Sequence, residues 1–523
     1  MRYLLNHTEM QNCDSATITQ MKMPAPVLME RAALAVFHTA RERYPEASRV
    51  LALCGSGNNG GDGFATARLL LLAGIRADVL FVGKHAHMTE QTKLEAEIFV
   101  NYGGVILEED VNLSSYDLII DALFGIGLSR VVSGRYADLI NAVNRLDTPV
   151  LSVDIPSGVS ADDGQILHTA IKADATVTFA FEKLGHALYP GASQCGDLYI
   201  RDVGITDLGL AEKTSIFPQL NQNQEKERGP VYTLEASDLP ASLPKRFPEA
   251  NKSSYGKLLL IAGDEGMAGA AILACKAALR AGCGMAAILS AAANRQILQT
   301  TLPEALFGAW EDGLSRWLSW ADAIAIGPGL GQSHKALSLL RELLESWHGP
   351  LVLDADALNL ISREHLPLER PGLPPMVLTP HPGEMQRLLK AEEADSSGEA
   401  IPIKNILAAP IPIAQDFAER NSVVLVLKGP RTVVTDGDET MLNLYGNDGM
   451  AAAGSGDCLT GIIGSLLAQG CEPFTGASDS VVLHALAGDL AAEKMGRRSL
   501  LAGDIADCLP ELFQRLEHPE KSF

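Results

Sequence analysis

Gly55-Ser56-Gly57-Asn58-Asn59-Gly60-Gly61-Asp62-Gly63 is the stretch on which the reading of this chain turns. An apolar run, Val50 to Cys54, precedes these small and amide-bearing residues, and a helical pattern follows them. The sequence therefore reads as a strand, a loop of phosphate size and a helix. Glycines let the backbone approach a ligand, and a helix N-terminus adds partial positive charge that favours an anion. The first six residues spell G-x-G-x-x-G, which raises a dinucleotide-binding Rossmann turn. That fold wants an acidic residue about 20 positions further on, at the end of the second strand. Here the strand expected over 77–82 ends in Gly83 and Lys84, and Asp78 lies at its start. Gly61-Asp62-Gly63 also keeps the loop glycine-rich where a Rossmann helix would already pack, so the stretch argues against a Rossmann dehydrogenase. A bare glycine turn is disfavoured as well, because Asn58, Asn59 and Asp62 are costly choices for a turn without a ligand.

Working outward, apolar positions at helical spacing (Leu28, Ala32, Leu34, Ala35, Val36, Phe37) predict a helix over 26–43. After the glycine loop come a helix over 64–73, a strand over 77–82, a helix over 89–102, a strand over 118–122, a helix over 136–146 and a strand over 150–154. This alternation predicts a doubly wound parallel sheet, whose ligands sit at the carboxyl ends of the strands. Two further polar loops leave from those ends, Asp121-Ala122-Leu123-Phe124-Gly125-Ile126-Gly127-Leu128 and Ser152-Val153-Asp154-Ile155-Pro156-Ser157-Gly158. With Asn59 they place two carboxylates, an amide and a hydroxyl around one crevice.

A chain of 523 residues exceeds one hydrophobic core, so two domains are expected. The pattern breaks between 217 and 254, with NQNQEKERGP and a proline-bearing stretch, and the boundary is expected near 221–229, giving domains 1–222 and 228–523. The second domain opens a new series: strand 257–262, helix 268–281, strands 285–290 and 323–326, helix 335–347, strands 351–354, 377–379 and 423–427. The halves share no obvious repeat. The segment 390–412 reads as a surface excursion with local helix, and Asp436-Gly437, between Val433-Val434 and Met441-Leu442, as a hairpin turn rather than a metal site.

Net charge is −22, with 42 basic against 64 acidic residues, which argues against nucleic acid or an anionic membrane as partner. Small anions remain open, because charges beyond about 8 Å are screened at physiological salt and the local lining decides. Eight cysteines are scattered without a C-x-x-C pair, several of them, such as Cys275 and Cys283, in apolar helical runs, which suits a reducing cytoplasm. The most apolar run, 268–293, is interrupted by Lys276 and Arg280, so no membrane span is expected.

In the second half, Ala453-Gly454-Ser455-Gly456-Asp457 opens a helix through Ile462, Ile463, Leu466 and Leu467. Asp457 reads either as a helix cap or as a carboxylate beside an anion hole. Its company favours the second reading. Lys428-Gly429-Pro430-Arg431-Thr432 supplies two cations, Gly327-Pro328-Gly329-Leu330-Gly331 is another glycine turn after a strand, and Thr379-Pro380-His381-Pro382-Gly383-Glu384 a third. A carboxylate in that setting takes a proton from a hydroxyl that attacks a phosphoryl group. Of the twelve histidines only His381 looks placed for a ligand, while His85 and His87 read as surface residues.

Together these motifs resemble the bifunctional NAD(P)H-hydrate repair enzymes, in which a YjeF-type epimerase domain precedes a ribokinase-like dehydratase domain. The resemblance rests on GSGNNGGDG, DALFGIGL and VDIPSG in the first half, and on AGDEGMAGA, GPGLG, DADALN, TPHPGE, LKGPRT and AGSGD in the second. It implies an α/β chain: a doubly wound, Rossmann-like domain of YjeF N-terminal type followed by a ribokinase-like α/β domain. It further implies that NADH or NADPH hydrated at C6 of the nicotinamide ring is interconverted between R and S epimers by the first domain. It also implies that the second domain dehydrates the S form, converting ADP to AMP with Mg2+.

Carried over by residue, Asn59, Asp121 and Ser157 match potassium ligands, and Asp154 matches the epimerase's acid/base. Gly57, Asn58, Asn59, Gly60, Gly61 and Asp62, with Gly125, Ile126, Gly127, Leu128, Ser129, Arg130 and Val131, match substrate-binding loops. Ala270, Gly329, His381 and Asp457 match substrate contacts in the second domain, with Asp457 also catalytic. Lys428, Gly429, Pro430, Arg431, Thr432 and Gly456 match the nucleotide site. Ser455 stands where the family often has Thr, which keeps the hydroxyl, and the excursion at 390–412 is longer than usual. The resemblance also suggests self-association. Two rivals stay open: a second domain that phosphorylates a small hydroxylated metabolite and stops there, and a first domain that binds without catalysis.

Overall fold

A computed structural model of the chain describes residues 1–108, 111–211, 228–392 and 401–518. The expected boundary at 221–229 lies largely outside the described residues; of the excursion at 390–412 only 393–400 does, and the rest carries local helix as expected, in Ile403–Ala408 and the start of Pro410–Asn421. The chain divides into two compact units, Tyr3–Pro230 and Val231–Phe523, the latter joined by Met1–Arg2.

In the N-terminal unit the strands β1 (Arg49–Cys54), β2 (Arg76–Phe81), β3 (Val105–Leu107), β4 (Leu118–Ala122), β5 (Val150–Val153), β6 (Ala175–Phe179) and β7 (Asp197–Arg201) form a parallel sheet. Their order is β3-β2-β1-β4-β5-β6-β7, so the chain reverses direction across the sheet between β1 and β4. Both faces are covered, which explains the unbroken apolar runs: Val50, Ala52 and Cys54 enter the core on one face, Leu51 and Leu53 that on the other. The helices α1 (His7–Thr19), α2 (Ala25–Arg43), α3 (Asn58–Leu72), α4 (Glu90–Asn101) and α5 (Arg135–Val143) belong to this unit.

The glycine stretch departs from expectation. Helix α3 begins at Asn58 and not at 64, so most of the stretch is the helix's first turns. Gly60 and Gly63 make this close seating necessary. A Cβ on Gly60 would fall 2.0 Å from the Gly55 carbonyl oxygen, and one on Gly63 would fall 2.6 Å from the Ala122 Cβ and 2.7 Å from the Cys54 Sγ. The helix already packs where the sequence suggested it did not, so this argument against a Rossmann turn fails, whereas the one from Asp78 holds. That carboxylate is buried under a hydrogen bond from the Tyr116 hydroxyl (3.0 Å), beside Arg49.

In the second unit the strands are β8 (Val231–Thr233), β9 (Lys257–Ile261), β10 (Met285–Ser290), β11 (Leu306–Ala309), β12 (Ala323–Ile326), β13 (Leu351–Leu353), β14 (Val377–Leu378), β15 (Val424–Leu427), β16 (Val433–Thr435) and β17 (Thr440–Leu442). They run β11-β10-β9-β12-β13-β14-β15-β16-β17-β8. Only β16 is antiparallel to its neighbours β15 and β17, and it pairs Val433 with Leu442 around the expected Asp436-Gly437 turn. The opening order repeats that of the first sheet, a likeness of topology that the sequences do not share. Helix α6 (Ala268–Arg280) packs on α7 (Ser455–Ala468) at close range, because Gly461 of α7 faces the Ala274 carbonyl, 2.0 Å from where a Cβ would stand. Helix α8 (Pro473–Met495) is buried along most of its length. No described helix is long and apolar enough to cross a membrane, and all eight cysteines are unpaired.

Candidate active sites

In the N-terminal unit the segments leaving β1, β4, β5 and β6 enclose a cleft of about 1080 Å³. Gly57, Asn58, Asn59, Asp62, Gly125 through Arg130 and Asp154 all line it, as the sequence suggests. Gly60, Gly61 and Val131 do not. Gly60 backs onto Gly55, Gly61 onto Met29, and Val131 is exposed. His87, read as a surface residue, lines the cleft mouth with Lys84, Arg130 and Arg135. No side chain caps α3, so its first N–H groups remain available to an anion.

Asp121 and Ser157 lie beneath this wall, both fully buried. The Asp121 carboxylate receives hydrogen bonds from Ser157 Oγ (2.6 Å), Ser157 N (2.8 Å), Ser152 Oγ (2.8 Å) and Leu123 N (3.4 Å), neutral donors all. Burial raises its pKa against the pull of those donors, and among the described residues no basic side chain pairs with it. Phe124 N donates to Ser157 Oγ at 2.9 Å, and a Cβ on Gly125 would stand 3.3 Å from Asn59 Oδ1, which links these residues to the cleft wall. The Asn59 Nδ2 is buried without a partner among the described residues; turned over, the amide presents its oxygen instead. A buried carboxylate lacking a counter-cation, an amide and a hydroxyl form a donor set that fits a large monovalent cation better than Mg2+ or Ca2+.

Asp154 follows β5 in a left-handed conformation, φ +65°. Its Oδ1 accepts hydrogen bonds from Lys183 Nζ (2.6 Å) and Thr178 Oγ1 (3.1 Å), and Lys183 Nζ also donates to Thr178 Oγ1 at 2.7 Å. Burial would raise the Asp154 pKa, but the Lys183 ammonium outweighs it, and the carboxyl lies below its usual range. Oδ2 takes no hydrogen bond among the described residues. Two more cleft carboxyls behave oppositely: burial and the neighbouring Asp154 push Asp62 well up and Asp14 up. The sequence reading missed Lys183, Thr178 and Asp14. Thr178 stands on β6, whose Ala175–Phe179 pattern of β-branched residues was the available signal.

In the second unit Asp354, at the end of β13, is buried and accepts from Lys428 Nζ (2.8 Å) and Thr460 Oγ1 (2.7 Å). A Cβ on Gly456 would lie 3.2 Å from the same Nζ, so Lys428 reaches the start of α7, whose cap position Gly454 is left-handed and has no side-chain cap. Asp457, in that first turn, has its pKa raised to about 6, first by burial and then by the Asp354 charge, against the pull of Lys428. It caps nothing, which sets aside the alternative reading. Ser455 Oγ lies 3.3 Å from Nε2 of His484, a buried ring held down to about 4 by desolvation and therefore neutral.

Gly329 and Ala270 adjoin each other, since a Cβ on the glycine would stand 3.0 Å from the alanine Cβ. His381 is half-exposed, and its Nδ1 accepts from Gly383 N (3.0 Å). Burial lowers its pKa, with Glu384, Lys428, Arg387 and Asp354 as its charged neighbours. Arg431 gives a guanidinium hydrogen bond to the Leu444 carbonyl (2.9 Å), and Thr432 Oγ1 donates to the Gly429 carbonyl (3.3 Å), which closes the turn around Pro430. Asp354 and Thr460 were not singled out from sequence, although Asp354 opens the DADALN motif.

A family model described as YjeF-related protein N-terminus matches residues 25–185, and one described as NAD(P)H-hydrate dehydratase matches residues 258–511. The bifunctional NAD(P)H-hydrate repair enzyme Nnr of Moorella thermoacetica is 36% identical and covers 98% of this chain and 97% of its own length. The enzyme of the same name from Escherichia coli K12 is 36% identical, covering 94% of this chain and 90% of its own. A solved structure of the ADP/ATP-dependent NAD(P)H-hydrate dehydratase from Bacillus subtilis, co-crystallised with ATP and Mg2+, is 31% identical and covers 55% of this chain and 99% of its own, with a TM-score of 0.48. Matched in both halves, in order and over nearly its full length, the chain belongs to the bifunctional NAD(P)H-hydrate repair enzymes.

Proposed function

We propose that residues 1–222 interconvert the R and S epimers of hydrated NADH and NADPH, and that residues 228–523 dehydrate the S epimer at the expense of ADP. The observation that carries this reading is the same in both units: an aspartate at an uncapped, glycine-led site beside a lysine, Asp154 with the buried Lys183 and Asp457 near the partly exposed Lys428. The two aspartates differ in basicity, which suits different tasks.

In the first unit Asp154 stays ionised, and its Oδ2 takes the proton of the C6 hydroxyl and passes it to the ring nitrogen as the C6–N1 bond breaks to leave an aldehyde; the reverse transfers close the ring on the other carbonyl face, so that the configuration at C6 inverts. Asn59, Asp121 and Ser157 would hold potassium, which neutralises the buried Asp121 charge and steadies the cleft wall. In the second, Asp457 takes the proton of the C6 hydroxyl as that oxygen attacks the β-phosphoryl group of ADP, releasing AMP. The phosphorylated oxygen then leaves as phosphate, driven by the lone pair of the ring nitrogen, and loss of a C5 proton restores NADH. Lys428, Gly456 and the first-turn N–H groups of α7 meet the transferred phosphoryl charge, with Gly429 through Thr432 toward the nucleotide. Mg2+ bound to ADP would supply charge neutralisation for the phosphates at this site. Ala270, Gly329 and His381 border the substrate's place. We assign the protein to a reducing cytoplasm on its eight unpaired cysteines, and we infer self-association from the resemblance alone.

Incubation with hydrated NADH, ADP and Mg2+ tests this: NADH absorbance recovers, with one AMP for each NADH. A stable phosphorylated product without NADH would make the second unit a kinase.

A further inference from the structure

Asp154 is held at two points, its carboxylate and its backbone carbonyl. The carboxylate is gripped by Lys183, which is 1% exposed and also donates to the Phe179 carbonyl at 3.3 Å. The backbone carbonyl lies 2.9 Å from Nε2 of His186. The opposite ring nitrogen of His186, Nδ1, accepts the backbone N–H of Lys183 at 3.1 Å. An acceptor at Nδ1 fixes the tautomer, so Nε2 carries the proton and donates it to Asp154. His186 is 5% exposed and does not line the cleft, and burial pushes it down to about 3, so the ring is neutral at any working pH.

A non-glycine residue at positive φ is strained and persists only where its surroundings impose it. The surroundings here come from one short segment. Glu182–Lys183 pairs in parallel with the buried Leu4 and Leu5, Gly185 N donates to the Ala161 carbonyl (2.9 Å), and a Cβ on Gly185 would strike the Ser160 carbonyl oxygen at 2.2 Å. The segment therefore has little freedom to shift.

We propose that Lys183 and His186 form a two-point clamp on Asp154, Lys183 holding one carboxylate oxygen so that the other serves the cleft, and His186 holding the carbonyl so that the backbone keeps its left-handed turn. Both are positioning residues of the epimerase site. The inference rests on Asp154 being the proton-handling group.

The test uses the full chain and follows epimerisation, with dehydration of the S epimer as an internal control of folding. His186→Gln keeps both hydrogen bonds, its amide nitrogen donating to Asp154 and its amide oxygen accepting from Lys183, and should retain kcat within a few-fold. His186→Phe fills the space without either bond and should lower kcat on the order of 10- to 100-fold at unchanged KM. Imidazole 15N shifts in the wild-type protein should report a neutral, Nε2-protonated ring from pH 5 to 8. Equal activity of Phe and wild type, equal loss in Gln and Phe, a rise in KM alone, or a ring that titrates in that range would each overturn the clamp. If Phe abolishes dehydration as well, the chain has not folded, and His186→Asn, whose shorter amide cannot reach both partners, takes its place with the same expectation. An active Asp154→Asn would instead overturn the role of Asp154 itself, whereas an inactive Asp154→Asn beside a fully active His186→Phe would remove only the clamp.

Discussion

Lowering the pH from 7 to 5 should slow dehydration about tenfold, because the proposed base Asp457 has its pKa at about 6. A carboxylate base works only when ionised, and at that pKa about nine tenths of it is ionised at pH 7 and about one tenth at pH 5. The acid limb should be absent from the epimerase, whose Asp154 lies below the usual carboxylate range. ADP's own phosphate titrates near the same pH, at about 6, so the limb is assigned by a perturbation that ADP does not feel. Asp354→Asn is that perturbation. Burial is the first cause of the high Asp457 pKa and the Asp354 charge the second, while Lys428 opposes both. With asparagine at 354, one negative neighbour is lost and Lys428 no longer faces a carboxylate at 2.8 Å, so its charge falls on Asp457. Both changes act in the same direction and should move the limb down by about one pH unit or more. The assay is the initial rate of NADH recovery from the S epimer at saturating Mg2+ and ADP, from pH 4.5 to 8. A wild-type profile that is flat across this range, or a limb that stays in place in an active Asp354→Asn enzyme, would refute the assignment of Asp457 as the base.

Three other outcomes can be checked. Asp479 in α8 is 1% exposed, its Oδ2 is buried without a partner among the described residues, and burial raises its pKa to about 6 against a hydrogen bond from Ser242. The folded chain thus keeps this proton to about pH 6 while the unfolded chain gives it up from 3.8, so stability falls as pH rises through that window. Asp479→Asn should remove this slope and raise stability at pH 7 by up to about 3 kcal/mol, with little change at pH 4; equal pH dependence of the two thermal unfolding curves would exclude it. Replacing potassium by a bulky organic cation should slow epimerisation and leave the second unit's requirement for Mg2+ unchanged, and Asp121→Ala should lose both this dependence and most activity. Full activity of the wild type without potassium would remove the cation from the site. Finally, a chain beginning at residue 228 should dehydrate the S epimer and fail on the R epimer; an insoluble or inactive product would count against the boundary.

The strand, glycine turn and helix of residues 50–72 and the alternation that follows were legible because a buried parallel sheet writes itself as apolar runs separated by polar loops. Asp121, Asp154 and Asp457 were legible for a related reason, since they lie at strand ends or a helix start, where such folds gather ligands. What sequence did not reveal is what grips them. Lys183, on a two-residue strand outside the seven-stranded sheet, meets Asp154 across 29 residues, and Lys428, after β15, meets Asp354, after β13, across 74 with β14 between their strands. His186 carries no motif; its role depends on a two-residue strand and one helical turn. Helix α1 carries its own sequence signal: Asn6 and Glu9 form a reciprocal cap at 2.9 Å, the N-x-x-E pattern that opens a helix. The start of α3 was misplaced because a run of glycines reads as loop, whereas Gly60 and Gly63 are there to let the helix press against Gly55, Cys54 and Ala122.

The claim that two separate sites share one repair task is tested most directly by giving purified (R)-hydrated NADH with ADP, Mg2+ and potassium to two variants. Asp457→Asn should convert R to S, followed by chiral chromatography, and form no NADH. Asp154→Asn should leave the R epimer in place, corrected for spontaneous epimerisation, and yet recover NADH from added S epimer at the wild-type rate. Mixing the two variants should restore NADH formation from the R epimer. Loss of both activities in either folded variant, or an Asp154→Asn enzyme that consumes the R epimer as the wild type does, would contradict the account.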